Sequence, residues 1–168
     1  MVLKNDTIDI EQIWSLLEKV TDPEVPVLTV IDLGIIRDIK INEDEVEVVI
    51  TPTYSGCPAM DVIAMSIKMQ LLSHGYKKIK ITQVLSPAWT TDWMSEDGKR
   101  KLKEFGIAPP NPKQQVCNDE LFAPHEAVQC PLCNSFHTHR ISEFGSTACK
   151  ALFVCDDCKE PFDYFKCH

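Results

Sequence analysis

Apolar residues recur at helical spacing in IDIEQIWSLLEKV, where Ile10, Ile13, Trp14, Leu17 and Val20 fall on one face. Asp9 is placed to cap this helix, with Gln12 three residues on as the capping-box partner. TDPEVPV ends it, because each proline pushes its predecessor out of helical geometry. The period then shortens from about 3.6 residues to about 2. IIRDIKI sets Ile35, Ile39 and Ile41 on one side, NEDE makes a polar turn, and Val46, Val48 and Ile50 alternate through EVEVVIT. Two alternating runs across a short turn predict a β-hairpin.

A second helix is expected from Pro58 to Ser73, with Met60, Ile63, Ile67 and Leu71 on its buried stripe and Gly75 as the stop. Met65 and Met69 are read with Met60 as fillers of the core. KKIKITQVL is a third strand, SPAWTTDWM a loop whose Trp89 and Trp93 close the core, and SEDGKRKLKEFGI a short basic helix. This order predicts a small α/β (α+β) sandwich with a mixed sheet over residues 1–108. A proline-rich linker follows over 109–125, then a small zinc-ribbon-like β module over 126–168.

Charge narrows the partners. With a net charge of -8 over 168 residues, the chain lacks the basic face that grips a phosphate backbone, so no nucleic acid is expected. MVLKNDTIDIEQ has no apolar core of a signal peptide, and no apolar run approaches the ~20 residues needed to span a bilayer. The expectation is a cytoplasmic protein without a membrane partner. In that setting, cysteines in CxxC pairs point to metal rather than disulfides. Of the eight cysteines only Cys57 precedes residue 117.

CPLC at 130–133 and CDDC at 155–158 are the strongest local signal. Two such knuckles let Cys130, Cys133, Cys155 and Cys158 converge as a tetrahedron, which suits a structural zinc. Four cysteines also suit an iron–sulfur centre, and spacing does not separate the two. FHTHRI and CKALFV are the strands between the knuckles. Cys149 is expected to face inward against Phe153, with a substituted ligand or redox thiol as the alternative, and His137 and His139 to share a solvated strand face rather than form a ligand pair. FDYF either closes the ribbon core or meets a partner protein. Cys117, Cys167 and His168 are given no ligand role.

TPTYSGCP joins a strand to a helix, with Gly56 permitting the turn and Pro58 suiting the first helical position. Unpaired amides there favour an anion, so the Cys57 thiol is expected to be exposed and its pKa to fall. A buried, inert cysteine at the junction is the alternative. His74 lies at the far end of the same helix, which argues against a Cys–His nucleophile pair.

DPE at 22–24, IDLGII at 31–36, TPTYSGCP and the tryptophan pair of SPAWTTDWM together resemble the iron–sulfur assembly and targeting family that includes SufT. The resemblance covers roughly residues 10–108. It implies an iron–sulfur trafficking role for Cys57, with Asp22 and Glu24 near it, and a transient iron or iron–sulfur cargo. The cysteine-rich tail resembles the C-terminal module of the D subunit of the phenylacetyl-CoA ring epoxidase system. That likeness implies an accessory protein rather than an enzyme, partnered by the di-iron oxygenase and the reductase of the epoxidase. A structural adaptor with an inert Cys57 and a thiol-dependent coenzyme A ester hydrolase are the competing readings, and a homodimer stays open.

Overall fold

The structure is a computed structural model and describes residues 9–110 and 128–166. Cys117, Cys167 and His168 lie outside the described residues. Helix α1 (Ile10–Leu17) is capped by Asp9, whose carboxylate accepts from the Glu11 amide at 3.0 Å. Gln12 takes no part in a capping box; its Oε1 accepts from the Tyr76 hydroxyl at 3.2 Å. The helix is also rotated from the expected stripe. Ile13, Leu16 and Leu17 are buried, whereas Ile10 and Trp14 are exposed.

Strands β1 (Ile36–Asn42) and β2 (Glu45–Ile50) form the expected antiparallel hairpin, with a register shift between Ile36 and Asp38. That shift puts Ile36 as well as Ile39 against the core. Helix α2 (Ala59–Ser73) crosses back, and β3 (Lys78–Gln83) pairs with β2 in parallel. The three strands run in the order β1-β2-β3 and make the expected mixed sheet. Met60, Ile63, Ile67 and Leu71 are buried beneath α2, but Met65 and Met69 are not core fillers: they are about 60% exposed. At a pitch of about 100° per residue, positions 65 and 69 lie opposite the 60–63–67–71 stripe.

Helix α3 (Glu96–Glu104) is tied to the loop before β1 through Asp32. The buried Asp32 carboxylate accepts from the Thr29 amide and hydroxyl, the Ser95 hydroxyl and the Lys101 ammonium, all within 3.0 Å. Trp89 is buried and its indole N–H donates to the Leu33 carbonyl at 2.8 Å. Gly34 has a φ of 66°, and a Cβ there would run into the Trp93 carbonyl. Trp93 is half-buried with the Arg37 guanidinium over its ring at 3.6 Å.

The tail builds a second sheet from β4 (Ile107–Ala108), β5 (Thr138–Ser142), β6 (Lys150–Cys155) and β7 (Pro161–Phe165), in the order β4-β7-β6-β5. β5, β6 and β7 form an antiparallel meander, and β4 pairs with β7 in parallel. FDYF is therefore a strand: Phe153 stacks on Phe162 and meets Tyr164 edge-on, closing a small ribbon core. Phe165 points the other way and packs edge-on against Trp89, so the main core continues from the first sheet into the tail. Among the described residues no helix is long and apolar enough to cross a membrane.

Candidate functional site

Two CxxC turns carry the tail cluster, and they are built alike. Each is followed by a residue in the left-handed region, Asn134 at φ 63° and Lys159 at φ 66°. Each closes with paired backbone bonds: Asn134 N–H to Cys130 O and Cys130 N–H to Ser135 O, then Lys159 N–H to Cys155 O and Cys155 N–H to Glu160 O. This turn folds the chain so that amides point at sulfur. The amides of Cys158 and Asp157 pull the Cys155 thiol down to about 7.

All four sulfurs lie within 4.8 Å of one another, with Cys130–Cys158 at 3.8 Å and Cys133–Cys155 at 3.5 Å. Zinc–sulfur bonds of about 2.3 Å in a tetrahedron give sulfur edges of about 3.8 Å. The donor set and its spacing therefore fit one tetrahedral ion such as zinc. A cluster would hold its terminal sulfurs farther apart, because iron and sulfide lie between them. His137 and His139 are not ligands. They are exposed and pair with Asp157 and Asp156 of the second knuckle, at 3.2 and 3.1 Å.

The second site begins at the loop after β2. Thr51 is buried; its amide donates to the Ile35 carbonyl and its hydroxyl to the Val84 carbonyl. The chain then turns at Gly56, whose φ of 83° a side chain would resist, and the Cys57 amide donates to the Tyr54 carbonyl. Cys57 ends half-buried one residue before Pro58, the N-cap of α2. Exposure is thus partly as expected, but the thiol's acidity is not. Burial pushes the Cys57 thiol up, the Ala59 amide and the Tyr54 hydroxyl pull against it, and the charges of Glu24 and Asp22 push further up. The helix start does stabilise the thiolate; desolvation and two carboxylates outweigh it.

Asp22 accepts from the Glu24 and Val25 amides at 2.7 and 2.8 Å, closing a local turn. Glu24 Oε2 faces Cys149, whose Sγ lies 3.6 Å away. Cys149 therefore does not pack against Phe153. It is buried with the main core, outside the ribbon cluster that holds Phe153. Thr147 Oγ1 lies 3.0 Å from the same sulfur. Burial, opposed by Thr147 and reinforced by Glu24, pushes the Cys149 thiol up to about 11. Tyr54, between the two cysteines electrostatically, is pushed up to about 12 by burial and then by the charge on Cys57.

The structure thus sets Cys149 against Glu24, whose charge, with that of Asp22, is felt at Cys57 beside Tyr54. Sequence reasoning assigned Tyr54 no role and set Cys149 in the ribbon core rather than the main one. Tyr54 stood inside the TPTYSGCP motif, and Cys149 was the cysteine left over between two complete knuckles.

Two family models match the chain: an iron-sulfur cluster assembly protein family over residues 10–82 and the PaaD zinc beta ribbon domain over residues 114–166. A protein of Escherichia coli (strain K12), provisionally named as the D subunit of 1,2-phenylacetyl-CoA epoxidase, is 48% identical over 94% of this chain and 93% of its own. The chain belongs to that epoxidase D-subunit family. An Fe-S protein maturation auxiliary factor of Porphyromonas gingivalis is 39% identical over 55% of this chain and 89% of its own. Among solved structures, a domain of unknown function, DUF59, from Bacillus anthracis matches with a TM-score of 0.52 at 27% identity, covering 55% of this chain and 89% of that one. Each of these two shorter proteins matches 55% of this chain.

Proposed function

We propose that this chain is a maturation factor of a phenylacetyl-CoA epoxidase, acting in the cytoplasm to load an iron or iron–sulfur centre into the di-iron oxygenase or its reductase. The observation that carries this reading is the half-exposed Cys57 beside Glu24, in a domain whose relatives include a maturation factor. The tail cysteines hold a structural zinc, which contributes folding free energy to a module too small to be held by burial alone.

A raised thiol suits transfer. Proton and metal compete for the same sulfur, so a site whose thiol keeps its proton at neutral pH holds iron less tightly than a preformed thiolate would. Loading Cys57 releases a proton to solvent, and handing the iron to the client's ligands returns one. His74, the histidine of the first domain, caps the far end of α2 and so does not form a Cys–His pair with Cys57.

Cys57→Ser should leave a folded, zinc-bearing chain that no longer supports loading of either client, read as iron content of the purified oxygenase and reductase. Full metallation of both by the variant refutes the proposal. The high thiol pKa also suits an inert Cys57 in a structural adaptor. An adaptor would co-purify stoichiometrically with the oxygenase and be indifferent to the serine change.

A further inference from the structure

We infer that Cys149 is the second thiol of the Cys57 site, so that the two modules each give one sulfur, and with Glu24 make a composite site for thiolate-bound iron. The inference deepens the maturation reading and rests on it for the identity of the cargo.

Three observations point there. A cysteine serving only as core filling needs no polar neighbours, yet the buried Cys149 Sγ meets Thr147 Oγ1 at 3.0 Å and Glu24 Oε2 at 3.6 Å. Its direction is fixed from the ribbon. Cys149 immediately precedes β6, whose last residue is the tail ligand Cys155, and its carbonyl accepts from the Lys166 amide at 3.0 Å. A metal in the tail therefore stiffens the strand that carries Cys149 to Glu24. Finally, the groups facing this spot are acidic. Glu24 and Asp22 both put negative charge at Cys57, Glu24 also contacts Cys149, and Lys150 is the cation felt at Cys149. Two sulfurs and a carboxylate in such surroundings suit a thiophilic cation.

The site is more open than the tail cluster. Among the described residues only the tail quartet groups three or more such ligand atoms for a single ion. Iron that keeps ligands of its own, or a sulfide-bridged unit, spans a wider set. Binding removes one proton from each cysteine and releases it to solvent, with no change of oxidation state.

The test uses the full chain, purified without air and with its tail metal in place, in two arms: ferrous iron alone, and ferrous iron with sulfide. The wild-type chain should take up iron beyond the tail metal in at least one arm, with thiolate-to-iron charge-transfer absorption; the arm that succeeds identifies the cargo. Cys149→Ser should weaken uptake at least tenfold and roughly halve that absorption, as should Cys57→Ser. Glu24→Gln, which leaves both thiols, should weaken uptake with the absorption per bound iron unchanged. Tail-metal content checks each fold. Cys149→Ser and Glu24→Gln chains that both bind as wild type overturn the inference, as does a wild-type chain that binds in neither arm. The parent reading is judged separately, by client loading. Uptake lost in Cys57→Ser but intact in Cys149→Ser sinks only the composite site, whereas uptake through both sulfurs with clients loaded normally by Cys57→Ser sinks only the maturation role.

Discussion

Cys149 Sγ lies 3.6 Å from Glu24 Oε2, a contact that bridges 125 residues of chain and joins the ribbon to the loop before the first sheet. Burial, with the charge of this carboxylate added, keeps both neighbouring thiols from ionising readily.

Thiol reactivity reads this out. In iron-free protein with the tail metal bound, iodoacetamide should modify half-exposed Cys57 ahead of buried Cys149. Because the Cys57 thiol sits above its ordinary value of 9.0, its thiolate is the minor form at neutral pH. The rate should climb about tenfold per pH unit and still be rising at that value. Mass spectrometry of quenched samples measures it; a plateau by about pH 8 would show an acidic thiol instead.

Removing the tail metal should be felt in the first core. Phe165 meets Trp89 at 6.4 Å between ring centroids, and Trp89 is 3% exposed. A chelator strong enough to strip the four thiolates should release one metal ion per chain and melt the β5–β7 meander. Tryptophan emission should shift to the red as Trp89 meets water. Unchanged emission with the metal gone would show that the ribbon keeps its packing without it.

Gly34→Ala should destabilise the protein by on the order of 2–4 kcal/mol. The cost has two sources: a positive φ of 66° and a new methyl driven into the Trp93 carbonyl. Urea denaturation measures it, and a loss below about 0.5 kcal/mol would contradict the close approach.

Asp32 is a buried contributor to the acid limb of stability. Burial pushes its carboxyl up, but Lys101, the Thr29 amide and the Ser95 and Thr29 hydroxyls together hold it below the usual 3.8. The folded value is the lower one, so the contribution is complete above about pH 4 and fades as pH falls through the folded value. Asp32→Asn should cost about 2 kcal/mol at neutral pH. The gap to wild type should narrow below pH 3.8, tested by denaturant melts across that range. A gap independent of pH would place the effect in packing rather than charge.

Periodicity carried most of the architecture: the hairpin, helices α1 and α2 and the two strands between the knuckles are where alternation and helical spacing put them. It erred where a helix face had to be chosen. Ile10 and Trp14 continue an apolar stripe on α1, but Leu16 is what the core covers; Met65 and Met69 are apolar without being inside. Hydrophobicity says that a side chain tolerates burial, and only the neighbours decide whether it is buried. The metal cluster was legible because all four ligands lie in two local turns. The Cys57 thiol was misjudged because a helix start is visible in sequence, whereas the carboxylates and apolar walls around it come from other segments. Cys149 was set against the wrong core for the same reason, since nothing local says which module a leftover cysteine will face.

The two-residue β4 bonds to the far edge of a sheet whose other members all lie beyond residue 137. A fragment cut after Ala108 would carry a lone edge with its hydrogen bonds open, and a ribbon prepared by itself would lack its outermost rung. Dissecting this protein at the obvious proline-rich seam would thus injure both pieces, so its halves are better compared by point changes within the whole than by separate expression.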